Sequence, residues 1–153
     1  MSSTHRYRAV VAWQGSTAVG YDSYDRAHSL ECPPADTALA LSGDPAFRGD
    51  ATRFNPEQLL LAAAASCQLL AFLAVAARAR IDVLDYEDDA EADMPEDDPP
   101  MRITAIRLRP RITVAAGTNP QRVHKLVALA HQECFIANSL RSDMDIEATI
   151  VVA

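Results

Sequence analysis

Polar and apolar residues alternate along several stretches of the chain, and between those stretches lie two segments with a helical rhythm. In IRLRPRITV, Ile106, Leu108, Ile112 and Val114 fall on one side and Arg107, Arg109, Arg111 and Thr113 on the other, the period of two expected of a half-solvated strand. Pro110 cannot donate to a ladder and marks a bulge or an edge. MDIEATIVV alternates in the same way, with Met144, Ile146, Ala148, Ile150 and Val152 facing inward. HRYRAVVAW and IDVLDYEDDAEADM read as further strands, with Trp13 in the core. Together these segments predict an antiparallel sheet.

Both helices announce their starts. Asn55 is a good N-cap, Pro56 suits the first helical position, and Glu57 complements the positive end of the helix dipole. TNPQRVHKLVALAHQEC repeats this grammar: Asn119 and Pro120 open a helix whose Val123, Leu126, Val127, Ala130 and Cys134 share one apolar face. The first helix differs from the second because the twenty residues 58–77 carry no charge at all. A membrane span is the obvious alternative. The many alanines, the amides of Gln58 and Gln68 and the sheet-like flanks favour a helix buried on every side of a globular core. Strands, a long buried helix, strands, a second helix and a last strand make an α+β fold, expected as a single domain over residues 1–153. Residues 32–54, with turn formers at both ends, read as a long and partly irregular connection of the kind that borders a site.

Charge narrows the function. Fourteen Lys and Arg against 21 Asp and Glu give a net charge of −7, which argues against nucleic acid or an anionic membrane surface as a partner. Ten of the 21 carboxylates crowd into residues 82–98, a solvated strand end and loop closed by Pro99 and Pro100. The opening residues show no apolar signal-peptide core, so a cytoplasmic protein is expected. The three cysteines, Cys32, Cys67 and Cys134, are too few and too far apart for a disulfide framework, and no paired spacing marks a zinc site. His131 lies three residues before Cys134, but no further metal-ligating cluster accompanies it, and Cys32 beside Pro33 and Pro34 reads as incidental.

The candidate chemistry is that of Cys67. A thiol attacks only as a thiolate, and burial among Leu and Ala raises its pKa unless a positive charge or a hydrogen-bond donor lies near. Without such help, Cys67 and Cys134 would be small buried hydrophobes.

FNPEQLLLAAAASC, followed 67 residues after its cysteine by the second cysteine in AHQECFIANSL, resembles the OsmC/Ohr family of organic hydroperoxide resistance proteins. The resemblance implies an OsmC-like fold, an intertwined homodimer, and a thiol peroxidase that needs neither metal nor flavin cofactor. It implies a peroxidatic role for Cys67 and a resolving role for Cys134. Glu57 matches the family's glutamate, and Arg48 in DPAFRGD is the candidate for its arginine, with Arg53 as the competitor. Phe135 stands where the family commonly has a proline. The implied substrate is an organic hydroperoxide, and the implied reductant an external dithiol, of lipoyl type.

Elementary chemistry agrees with those roles. A guanidinium near Cys67 favours the thiolate and stabilises the alkoxide that develops as the O–O bond breaks, while a carboxylate holds the guanidinium. A sulfenic acid on Cys67 condenses with Cys134, provided their Cα atoms come within about 4.4–6.8 Å. The apolar surroundings suit an alkyl hydroperoxide. Glu57 poses a problem, since ten residues of helix place it about 15 Å along the axis from Cys67. Either the helix is broken or the glutamate serves a second subunit. The rival reading is a non-catalytic dimer that binds an apolar ligand or senses redox state.

Overall fold

The computed structural model describes residues 2–153, and these divide into two compact units, residues 2–59 and 60–153. In the first, β1 (Val10–Ala12), β2 (His28–Glu31) and β3 (Leu39–Leu41) form an antiparallel sheet in that order. The connection after β3 doubles back on itself. Ser42 is buried and accepts the Asp50 N–H on its hydroxyl at 3.0 Å, and Ser42 N donates to Phe54 O at 2.9 Å. A short 3-10 turn, Pro45–Phe47, lies inside this connection, capped by the Asp44 carboxylate on Ala46 N at 2.7 Å.

Helix α1 (Pro56–Arg78) starts as its sequence predicts, with one addition. Asn55 Oδ1 accepts from Gln58 N at 2.8 Å and Gln58 Oε1 accepts from Asn55 N at 3.0 Å, a reciprocal capping box completed by the glutamine. Helix α2 (Pro120–Glu133) is capped by Asn119, whose Oδ1 accepts from Gln121 N at 2.9 Å.

The long alternating segments each become two strands. β4 (Val83–Asp88) and β5 (Glu91–Asp93) share one, β6 (Ala105–Leu108) and β7 (Pro110–Val114) the next, and β8 (Asp143–Ile146) and β9 (Thr149–Val152) the last. At each break the chain passes from one sheet to the other, giving the strand orders β4-β7-β9 and β5-β6-β8. Alternation continues through the break at Arg109, so Ile106, Leu108, Pro110, Ile112 and Val114 are all buried. Asp88 patches the break by accepting the Arg109 N–H at 2.7 Å. The expected antiparallel pairing holds for β4 with β7 and for β5 with β6, but β8 runs parallel to β6 and β9 parallel to β7. Parallel neighbours follow because the intervening α2 carries the chain back before β8 begins.

The core of the second unit has two parts. Phe72, Val75 and Ala76 of α1 meet Ile112 and Val114 of β7 and Val123, Val127 and Ala130 of α2. Further up the helix, Ala64 packs with Ile106 and Leu108 of β6. The helix is therefore not buried on every side. Its buried residues, Ala64, Gln68, Phe72, Val75 and Ala76, form one stripe, while Ala62, Ser66, Leu70, Leu73 and Ala77 form an exposed stripe with the same spacing. α1 is long and apolar enough to cross a membrane, yet one face is committed to a folded core. Trp13, expected in the core, is 40% exposed in the first unit, where its ring lies edge-on to Tyr24 at 6.3 Å.

Candidate functional site

The second unit brings the two predicted cysteines together. Cys67 faces the end of α2 from the middle of α1, and Cys134 caps the C-terminus of α2, fully buried. The two thiols are near enough that Cys67 disfavours ionisation of Cys134. Just past Cys134 the chain enters a short 3-10 turn, Ala137–Ser139, whose leading N–H groups point at the sulfurs. Ile136 N donates to Cys67 Sγ at 3.5 Å and Ala137 N to Cys134 Sγ at 3.5 Å. These are the donors that a thiolate among Leu and Ala needs. They come from backbone, which carries no signature in the sequence.

The two sulfurs differ in setting. Burial pushes the Cys134 thiol up, and proximity to Cys67 adds to the effect, against the pull of the Ala137 and Ile136 N–H groups. Cys134 therefore stays protonated beside Cys67. Cys67 is only half-buried and opens into a pocket of about 440 Å³. One wall is α1 itself, where Leu70, Ala71, Ala74 and Arg78 follow Cys67 at helical spacing, and Phe135, 80% exposed, stands opposite. Arg78 pairs with Glu133 at 2.7 Å at the edge of the same pocket. Eleven residues of helix put Arg78 about 16 Å along the axis from Cys67, so it borders the cavity without reaching the sulfur. Sequence reasoning missed Arg78 and Glu133, which sit at the ends of two different helices and converge only through the crossing.

The other candidate residues belong to the first unit. Arg48 ends the short 3-10 turn with φ at +66°, a left-handed conformation, and pairs with Asp22 at 3.1 Å. Arg53 pairs with Asp50 at 3.6 Å. Glu57 lies half-buried in the first turn of α1, and among the described residues neither arginine pairs with it. Since α1 is unbroken from Pro56 to Arg78, a kink does not shorten the distance from Glu57 to Cys67. Among the described residues no three His, Cys, Asp or Glu side chains converge as a metal site. His131 holds its Nδ1 buried without a hydrogen-bond partner.

Known proteins place this arrangement. The chain is similar over 95% of its length, and 100% of the other, to an OsmC-like protein of unknown function from Vibrio cholerae O1 biovar eltor, with 28% identity and a TM-score of 0.86. An organic hydroperoxide resistance protein OsmC from Legionella pneumophila shares the fold at 22% identity and a TM-score of 0.74, covering 99% of this chain and 100% of that one. So does an organic hydroperoxide resistance protein from Elizabethkingia anophelis, at 17% identity and a TM-score of 0.74 over 100% of both chains. The sequence matches no curated protein. The profile of the OsmC-like protein family matches residues 49–149, a span that contains both cysteines and both helices, and the chain belongs to that family.

Proposed function

We propose that the chain is a cytoplasmic, cysteine-based peroxidase that reduces organic hydroperoxides and is recycled by an external dithiol of lipoyl type. The observation that carries this reading is the meeting of a half-exposed Cys67 with a buried Cys134 under two backbone N–H donors. The Cys67 thiolate attacks the terminal oxygen of ROOH, the O–O bond breaks, and the alkoxide leaves as ROH after taking a proton. Cys67 is then a sulfenic acid. Cys134 attacks that sulfur, an S–S bond forms, the S–O bond breaks, and water leaves with the thiol proton. A dithiol returns both electrons by exchange through a mixed disulfide. The apolar wall of Leu70, Ala71 and Ala74 favours the alkyl part of such a substrate. Relatives of the same fold are named organic hydroperoxide resistance proteins, which supports the same class.

Thiol titration tests the reading. With an organic hydroperoxide in excess, two of the three thiols per chain should disappear and return on treatment with dihydrolipoate, leaving Cys32 reactive throughout. Retention of all three thiols would instead favour the non-catalytic ligand binder.

The site is completed, in this proposal, by Arg48 and Glu57, supplied within a homodimer. The exposed stripe on α1, with Leu70 64% exposed, is surface that a second copy would cover. Light scattering should find a dimer at low micromolar concentration, and a stable, active monomer would refute it. Arg48→Ala should slow alkylation of Cys67 by iodoacetamide about tenfold for each 1.4 kcal/mol of lost thiolate stabilisation, with recovery at high pH. Arg53→Ala should leave the rate near wild type. The reverse pattern would transfer the role to Arg53.

A further inference from the structure

The first unit contains a second pocket, of about 320 Å³, that the thiol chemistry leaves unused. Its walls are Val11, Trp13 and Pro56, and its polar groups include Arg26, His28 and Ser42. Arg26 is held more firmly than a surface arginine. Its guanidinium carbon lies 3.8 Å from the centroid of the Tyr24 ring and 4.8 Å from that of Tyr21. One terminal nitrogen donates to Tyr24 O and the other to Tyr21 O. The two rings are themselves packed edge to face at 6.2 Å. A cation clamped in this way has given up much of its rotamer freedom before any ligand arrives.

A guanidinium has five N–H donors, and the two carbonyls occupy two of them. No carboxylate lines the pocket, and among the described residues Arg26 forms no ion pair, unlike Arg48 with Asp22 and Arg53 with Asp50. His28 sits beside it with Nδ1 at 2.7 Å from Arg26 O. Because a carbonyl only accepts, that nitrogen carries the proton. An unneutralised, pre-oriented fork of donors among apolar walls matches a carboxylate with a hydrophobic tail. The volume, at the small end of ligand pockets, restricts that tail to modest size.

We infer that this pocket binds a small aliphatic carboxylate, its carboxyl group paired with Arg26 and its tail against Val11, Trp13 and Pro56. Trp13 is the single tryptophan of the chain, so its fluorescence reports on this cavity. Octanoate should change that fluorescence saturably, and 1-octanol, of similar shape but uncharged, should require at least tenfold higher concentration. In Arg26→Gln the two probes should bind alike. Equal binding of octanoate and octanol to the wild type, no saturable change with octanoate, or a preference that survives in Arg26→Gln would each overturn the inference. If Arg26→Gln fails to fold by circular dichroism, the wild-type comparison still decides. The measurement involves no thiol and no peroxide, so its outcome is independent of the peroxidase proposal.

Discussion

Replacing Cys134 with serine should abolish multiple turnover while leaving the first reaction with hydroperoxide intact. The Cys67 sulfur keeps its opening to the pocket and the Ile136 N–H in this variant, so the attacking thiolate is still supported. The missing step is the S–S bond. Hydroperoxide should consume one thiol at the active pair instead of two, and mass spectrometry should find sulfenic acid on Cys67, advancing to sulfinic acid in excess peroxide. Cys67→Ser should show neither product. If Cys67 remains reduced in Cys134→Ser while the wild type loses both thiols, the order of the two cysteines is reversed. The buried setting that holds the Cys134 thiol up argues against that order, since the thiol kept protonated is the poorer first nucleophile.

Gly49→Ala should destabilise the protein far more than a single methyl group ordinarily does. A Cβ at Gly49 would lie 1.7 Å from the carbonyl oxygen of Gly43 and 2.2 Å from its carbon, both backbone atoms that no rotamer change can remove. The strands of this connection are pinned on either side by Asp50 N to Ser42 Oγ and Ser42 N to Phe54 O, so the loop cannot simply open. The cost should reach the upper end for overpacking, on the order of 3 kcal/mol. For a chain of this size that corresponds to a fall in Tm of about 6–12 °C by calorimetry. Gly43→Ala is the control. Its Cβ would meet only Gly49 Cα at 4.0 Å, an ordinary contact, and its Tm should stay near wild type. Similar melting of the two variants would show that the loop yields.

What could be read in the sequence was what local chemistry decides. The N-caps Asn55 and Asn119, each followed by proline, marked both helix starts because capping uses neighbours within three residues. The inward alternation of Ile106, Leu108, Ile112 and Val114 was equally legible. Pro110 marked an irregularity there, but the passage from one sheet to the other at Arg109 was not legible, because the alternation runs through it without changing phase and Pro110 keeps its place on the inner face. Nor was the parallel pairing of β8 and β9, since direction depends on where α2 returns the chain. In the site, the spacing of Glu57 and Cys67 and the position of Cys134 carried the family resemblance. The Ile136 and Ala137 N–H groups and the Arg78–Glu133 pair needed the crossing of two helices to appear. The apolar character of α1 was legible too, but which of its faces the chain would cover was not.

The parallel placement of β8 and β9 also sets an order on synthesis. β6 and β7 each have one antiparallel neighbour made before α2, while their other neighbours are residues 143–146 and 149–152. A nascent chain that has released everything up to α2 therefore carries two open strand edges in sequence, one per sheet, each rich in Ile, Leu or Val. Such edges pair readily with other chains. Ribosomes stalled before residues 143–152 have emerged should yield insoluble product, whereas the first unit, with its three strands complete by residue 41, needs none of those residues for its own sheet.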